Sequence, residues 1–174
     1  MHLKKITNKY KIIFSDLDDT LIKTHTKETF PKGIWDMEIK FDVLDKIKEL
    51  NPEYLFIATN QGGIGKFVDK DHFESKLNYI ADAFQEYLGC IVDVTYCPSA
   101  DKSDPDRKPN AGMATILVNA HNLVINKDFT PDDCLMIGDA SGYPGDFSSS
   151  DKGFAENCFG GIDYIDVRDL LENM

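Results

Sequence analysis

The chain has 174 residues, a formal net charge of -11, 42% hydrophobic residues and 28% charged residues, a composition typical of a globular protein with a buried core. The acidic balance argues against a broad nucleic-acid groove, because such grooves hold the phosphate backbone with clustered Lys and Arg. No apolar stretch approaches the roughly 18 residues that a membrane helix needs, and no apolar segment of a secretion signal follows the basic start. We therefore expect one domain over residues 1–174, an intracellular location and no membrane partner.

The first predicted strand ends in a cluster of carboxylates. Ile12–Phe14 is a short apolar run that predicts a buried strand, and Asp16 and Asp18 follow it directly. Because side chains alternate along an extended chain, Asp16 and Asp18 fall on one side and Leu17 on the other. Two adjacent carboxylates repel unless a cation or a shared proton compensates. The pair indicates a Mg2+ site, nucleophilic and acid–base chemistry, or both, and a solvated acidic turn is the alternative.

The rest of the chain alternates between predicted helices and strands. Residues 22–35 predict a polar excursion with a small hairpin flap. Apolar spacing then predicts, in chain order, a helix at 41–50, a strand at 54–58, a helix at 71–88, a strand at 91–96, a helix at 111–122, a strand at 134–137, a short helix at 151–157 capped by Ser150 or Asp151, a strand at 164–167 and a terminal turn at 169–172. This alternation predicts an α/β fold, a three-layer Rossmann-like parallel sheet with helices on both faces.

Polar side chains follow several of these strands at their carboxyl ends. They are Asp16 and Asp18, then Thr59 and Asn60, then Asp139, and a fourth loop carries Lys108. Ligands of open α/β sheets bind at the carboxyl ends of the strands, where the strand order reverses. We expect a central first strand beside the strand at 134–137, which would place Asp16 next to Asp139.

Taken together, these residues resemble the four motifs of the haloacid dehalogenase superfamily of phosphohydrolases. Asp16–Thr20 is similar to the first motif, Thr59 to the second and Lys108 to the third, while Gly138–Asp139 with a later Asp is similar to the fourth. The resemblance implies the haloacid dehalogenase fold. Between the motifs there is room for a flap but not for a large cap domain, so we expect an open site.

Longer stretches resemble the 3'-phosphatase domain of polynucleotide kinases, in a phosphatase-only form. They cover residues 59–65, 107–113, 138–142 and 146–157, and a comparable stretch lies at Phe30–Gly33 and Trp35. The first stretch is also similar to histidinol-phosphate and heptose-bisphosphate phosphatases, and the second also to heptose-bisphosphate phosphatases. The small-sugar phosphatases of the superfamily usually carry a zinc loop of Cys and His, whereas Cys97 stands alone here. Around Gly65 the chain lacks the spacing and hydroxyl of a G-x-x-x-x-G-K-[ST] loop, so no nucleoside triphosphate partner is expected.

The resemblance implies a role for each matched residue. Asp16 would be the nucleophile that forms an aspartyl-phosphate, and Asp18 the general acid and then the general base. Thr59, Asn60 and Lys108 would bind the phosphoryl group, with Lys108 also neutralising charge.

The resemblance also implies Mg2+ as the cofactor. Its expected ligands are Asp16, Asp18 through the main-chain carbonyl, Asp139 and Asp151. Asp146 is the rival of Asp151 for the second acidic position of the fourth motif, and Asp151 is favoured because it precedes a helix start.

The expected function is Mg2+-dependent removal of 3'-phosphates from nucleic-acid ends, as in DNA repair. DNA is favoured over RNA as the substrate. One alternative is a phosphatase of a small metabolite such as histidinol phosphate or a sugar bisphosphate, which the sequence pI of about 4.7 accommodates more easily. A non-catalytic binder of phosphorylated ends is the other. The sequence leaves strandedness and oligomeric state open, with a monomer as the simplest expectation.

Overall fold

The computed structural model of the protein describes residues 8–26 and 36–172. In chain order its helices and strands are β1 (Ile12–Ser15), β2 (Ile22–Lys23), β3 (Glu38–Ile39), α1 (Phe41–Leu50), β4 (Tyr54–Asn60), α2 (Lys70–Leu88), β5 (Ile91–Cys97), α3 (Gly112–Ala120), β6 (Cys134–Gly138), α4 (Ser150–Asn157), β7 (Asp163–Asp166) and α5 (Val167–Glu172). Much of the predicted flap lies outside the described residues. This part includes Phe30–Gly33 and Trp35, which resemble a stretch of the 3'-phosphatase family. β2, at the start of that excursion, forms a short antiparallel pair with β3, which lies just after it.

Five parallel strands form one sheet in the order β5-β4-β1-β6-β7. β1 lies at its centre, and Ser15 at the end of β1 pairs with Ile57 of β4 and Ile137 of β6. The chain extends the sheet first on the β4 side and later on the β6 side, so the strand order reverses beside β1. The expected neighbourhood of the first strand and the strand at 134–137 is confirmed, and the carboxyl ends of both open at this reversal.

Two apolar cores cover the two faces of the sheet, as β1 itself illustrates. Ile13 packs into the core with α1, α2 and α5, while Ile12 and Phe14 pack into the core with α3 and α4. All three strand side chains are fully buried. On the second face the ring of Phe14 meets the ring of Phe154 edge-on, with centroids 6.1 Å apart. The predicted three-layer α/β fold is confirmed, and the described residues contain no cap domain.

Several predicted boundaries need correction. The terminal turn is a helix, α5, which begins at Val167, a residue that was predicted to end the last strand. β4 continues through Thr59 and Asn60, because both pair with β5 and so remain in the sheet. Helix α4 starts at Ser150 with Ser149 in the N-cap position and no side-chain cap, so the predicted caps were wrong. No helix in the described ranges has both the length and the apolar character needed to cross a bilayer.

Candidate active site

The site is built around the ammonium group of Lys108. Its Nζ donates to Asp16 Oδ1 at 2.7 Å and to Asp151 Oδ1 at 2.8 Å. The side chains of Lys108 and Asp151 are 2% and 1% exposed, and that of Asp16 is 14% exposed. Burial alone would lower the pKa of Lys108, but the charges of Asp151 and Asp16 outweigh it and hold the pKa above its usual value. The ammonium group of Lys108 therefore joins two carboxylates from different loops.

The side chain of Asn60 holds the main chain of Lys108 in place. Asn60 lies at the end of β4, and its Oδ1 accepts from the Lys108 N–H at 2.9 Å. Its Nδ2 donates to the Lys108 carbonyl at 3.1 Å. The Asn60 side chain thus contacts both polar groups of the Lys108 main chain, and its Nδ2 retains a second N–H.

Asp151 ties the start of α4 to the end of β6. Its Oδ2 accepts from the N–H groups of Asp139 and Ala140 at 3.2 and 3.1 Å. Gly138 makes this approach possible, since a Cβ atom there would lie 2.5 Å from both Cβ and Oδ2 of Asp151. The glycine is therefore required for a close contact and not for its backbone freedom.

Three carboxylates converge at the carboxyl ends of β1 and β6. Asp16, Asp139 and Asp151 each offer one oxygen, and these atoms lie within 4.8 Å of one another. Burial and then the neighbouring charge of Asp16 raise the pKa of Asp139 to about 8. A divalent cation would relieve this repulsion, and a set of hard oxygen donors is the kind that Mg2+ prefers. The residues present thus fit a magnesium ion.

Two sequence-predicted acids take other positions. The carboxylate of Asp18 is outside this group of three, and the carbonyl was its expected contribution to the metal. Asp146 faces Arg168 instead, with two contacts of 3.0 Å between its carboxylate and the guanidinium. The structure thus brings Asp151, and not Asp146, together with Asp16 and Asp139.

Gln61 connects Asp18 to Thr59, a link that the motif comparison did not assign. Its Nε2 donates to Asp18 Oδ2 at 2.6 Å and to Thr59 Oγ1 at 2.9 Å. Gln61 is 9% exposed. Its main-chain N–H donates to the carbonyl of Cys97, which fixes its backbone just after the carboxyl end of β4. The side-chain amide of Gln61 therefore bridges the Asp18 carboxylate and the Thr59 hydroxyl.

Two further polar residues around the carboxylates were also missed. Thr20 is fully buried, and its Oγ1 donates to Asp139 Oδ1 at 3.3 Å. Lys76 is 3% exposed on α2; burial lowers its pKa, while the charges of Asp18 and Asp36 oppose that shift. Thr20 could have been suspected from its place in the first motif. Lys76 follows an ordinary helical pattern, and only the fold shows that it lies near Asp18.

This arrangement agrees with a comparison against families of known proteins. The model of the family described as polynucleotide kinase 3 phosphatase matches residues 11–165, a range that contains every residue of the site. The chain belongs to this family. It is accordingly a phosphatase of the haloacid dehalogenase type.

Two relatives show how the chain compares in length. It is 34% identical over 157 residues to the bifunctional polynucleotide phosphatase/kinase of Schizosaccharomyces pombe, an alignment of 88% of this chain and 36% of that protein. It is 32% identical over 158 residues to an uncharacterised 20.8 kDa protein of Autographa californica nuclear polyhedrosis virus, covering 84% of this chain and 79% of that one. The chain thus spans about a third of the yeast relative and most of the viral one.

Solved structures show the same fold. A protein from Mesorhizobium loti that is assigned as a HAD-like phosphatase superposes with a TM-score of 0.62 at 19% identity, over 94% of this chain and 85% of that one. The D,D-heptose 1,7-bisphosphate phosphatase of B. bronchiseptica, crystallised with magnesium and phosphate, gives a TM-score of 0.59 at 19% identity, over 93% and 96% of the two chains. At this identity the likeness concerns the fold alone.

The contact between Gly138 and Asp151 gives a first prediction. Gly138→Ala should push the Asp151 side chain away from Lys108 and from the N–H groups of Asp139 and Ala140, because no free space surrounds the added methyl. Overpacking of this kind costs about 1–3 kcal/mol. Urea unfolding should show that loss together with reduced phosphatase activity. Stability and activity equal to the unmodified protein would contradict the described packing.

Proposed function

We propose that the chain is a Mg2+-dependent phosphomonoesterase that removes 3'-phosphates from nucleic-acid ends, with DNA favoured over RNA as the substrate. It would act as one domain in strand repair. One observation carries the proposal: the family match over residues 11–165 coincides with a site in which Asp16, Lys108 and Asp151 are joined directly. The bifunctional activity of the yeast relative concerns a longer protein. Only its phosphatase half is proposed here.

Asp16 is the proposed nucleophile. Its carboxylate attacks the phosphorus atom, the bond from phosphorus to the 3' oxygen breaks, and an aspartyl-phosphate remains on the enzyme. Lys108 lies 2.7 Å from this carboxylate and offsets the negative charge that gathers as the phosphoryl group approaches. Lys108 thereby serves in both of its proposed roles, as a catalytic and as a phosphate-binding group.

Asp18 is the proposed general acid and base. It gives its proton to the departing 3' oxygen, then takes one from the water that attacks the aspartyl-phosphate and releases inorganic phosphate. The Gln61 amide, 2.6 Å from Asp18 Oδ2, keeps this carboxyl group aimed into the site in both steps. Thr59 and the main chain of Asn60 are the proposed contacts to the phosphoryl oxygens.

Asp16, Asp139 and Asp151 would hold Mg2+, together with the main-chain carbonyl of Asp18. The ion would supply positive charge for the phosphoryl oxygens and for the three carboxylates. Asp151 already accepts hydrogen bonds at both oxygens. Each carboxylate oxygen has two lone-pair directions, so Asp151 retains capacity for the metal or for a water bound to it.

An exposed aromatic side chain supports a substrate that carries bases. Phe147 is 98% exposed and lies on the loop between β6 and α4, the same loop that begins with Asp139. Phenylalanine is among the side chains most often buried, and stacking of a base on an aromatic ring is largely independent of sequence. An open site without a cap in the described residues would admit a polymer end beside it.

The substrate class can be tested by phosphate release from a 3'-phosphorylated oligonucleotide, measured beside histidinol phosphate and heptose bisphosphate. We expect the highest kcat/KM with the oligonucleotide, loss of turnover on chelation, and recovery on adding Mg2+. Asp16→Asn is the matched control, since it retains the shape of the side chain and should lower turnover by more than about 10³-fold. Turnover of a small substrate but not of the oligonucleotide would refute the 3'-end proposal in favour of the metabolite phosphatase.

A second prediction concerns Phe147. Phe147→Ala should raise KM for the oligonucleotide by about tenfold, because base stacking on an aromatic ring contributes about 1–3 kcal/mol. Turnover of glycerol phosphate, which has no base, should not change. Ile91→Ala is the control, because Ile91 is 44% exposed at the amino end of β5, on the opposite edge of the sheet. An unchanged KM for the oligonucleotide would remove Phe147 from the substrate path.

A further inference from the structure

Arg168 binds two carboxylates at once on the far side of the Asp139 loop. It is the second residue of α5, and its Nε and Nη2 donate to Oδ1 and Oδ2 of Asp166 at 2.8 and 2.7 Å. Its Nη1 and Nη2 also donate to Oδ1 and Oδ2 of Asp146, both at 3.0 Å. A planar guanidinium can form two such forked contacts, whereas an ammonium group cannot.

The same guanidinium reaches the backbone of Asp139. Arg168 Nη2 donates to the Asp139 carbonyl at 3.2 Å. On the other side, the Asp139 N–H donates to Asp151 Oδ2 at 3.2 Å. The main chain of Asp139 is therefore held at both of its polar groups, and its carboxylate is left to face Asp16.

Asp146 and Asp166 form further hydrogen bonds with the loop that follows Asp139. Asp146 Oδ2 accepts from the N–H groups of Ser141 and Tyr143 at 3.2 and 3.1 Å. Asp166 is 1% exposed, and the Ser141 hydroxyl donates to it. Together these contacts join the loop at residues 139–146 to β7 and α5. The conformation of the loop therefore depends on these charged residues as well as on its own sequence.

We propose that Arg168 is a positioning residue that holds Asp139 in the geometry needed for Mg2+ binding, with Asp146 as its anchor in the loop. This inference rests on the metal site of the proposed function. It gives Asp146 a role other than that of a metal ligand, since its carboxylate is engaged by Arg168 and by two N–H groups. Partners that orient metal ligands typically contribute about 10- to 100-fold in metal affinity or activity.

The test is titration of Mg2+ into metal-free protein by isothermal calorimetry, with Arg168→Met, Arg168→Lys and Asp146→Asn. We expect each variant to raise the dissociation constant for Mg2+ by about tenfold. The Lys variant should fail to restore affinity, because one ammonium cannot span both carboxylates and the Asp139 carbonyl. High Mg2+ should restore kcat in all three.

Lys11→Met is the matched control. Lys11 lies just before β1, at the amino end of that strand and away from the carboxyl ends that form the site. Its Nζ donates to the Asp128 carbonyl at 2.8 Å and pairs with Glu53 at 3.5 Å. Removing this cation changes the net charge by the same amount as Arg168→Met. It should leave the Mg2+ dissociation constant unchanged.

Thermal unfolding is measured on every variant, so that affinity is compared only among folded proteins. If Arg168→Met does not fold, because buried Asp166 loses its partner, Asp146→Asn decides the question, since it leaves the contacts between Arg168 and Asp166 in place. Folded variants with the unmodified affinity for Mg2+ would overturn the positioning role. Unmodified protein that binds no Mg2+ would overturn the metal site itself, whatever the oligonucleotide assay shows.

Discussion

A buried ammonium group between two carboxylates is the interaction on which the site depends. Lys108 brings a positive charge to within 2.8 Å of Asp151 and 2.7 Å of Asp16, with almost no access to water for Lys108 and Asp151. Burying either charge alone would be very costly, and their mutual contact offsets that cost only if the geometry is good. Much of the surrounding structure serves this geometry. Asn60 fixes the main chain of Lys108, and Gly138 leaves the space that Asp151 occupies.

The same interaction relates the fold to the chemistry. β1 and β6 are neighbours at the reversal of strand order, so Asp16 and Asp139 meet there without any long loop. Two aspartates in such proximity repel, and burial together with the neighbouring charge of Asp16 raises the pKa of Asp139. Lys108 balances part of the negative charge, and a divalent cation would balance the rest. A phosphoryl group brings further negative charge, so a site with these two sources of positive charge suits its transfer.

The sequence predicted most of this framework, because the relevant signals are local. The apolar run at Ile12–Phe14 and the spacing at 41–50 each specify an element by themselves, and both have the predicted bounds or nearly so. The haloacid dehalogenase motifs then grouped the residues that the structure brings together. Helix α5 was missed because it has only six residues and follows β7 directly, so that Val167 was read as part of the strand.

What the sequence could not supply were the contacts between distant segments. Gln61 was visible in a motif, but only the fold shows its amide between Asp18 and Thr59. Arg168 and Asp146 are 22 residues apart, and no periodicity relates them. The choice between Asp146 and Asp151 depended on the same fact. Both follow the fourth motif, and which of them meets Asp16 is decided by where α4 begins and by what Arg168 binds.

Lys108 neutralises buried negative charge, and urea unfolding of Lys108→Met in chelating buffer tests this role most directly. Removing one partner of a buried ion pair typically costs about 3–5 kcal/mol, and we predict a loss of that size in the free energy of unfolding. Adding Asp151→Asn to this variant should restore part of the stability but not the activity, because it removes the unpaired charge. A Lys108→Met protein whose free energy of unfolding lies within about 0.5 kcal/mol of the unmodified chain would contradict this role of Lys108.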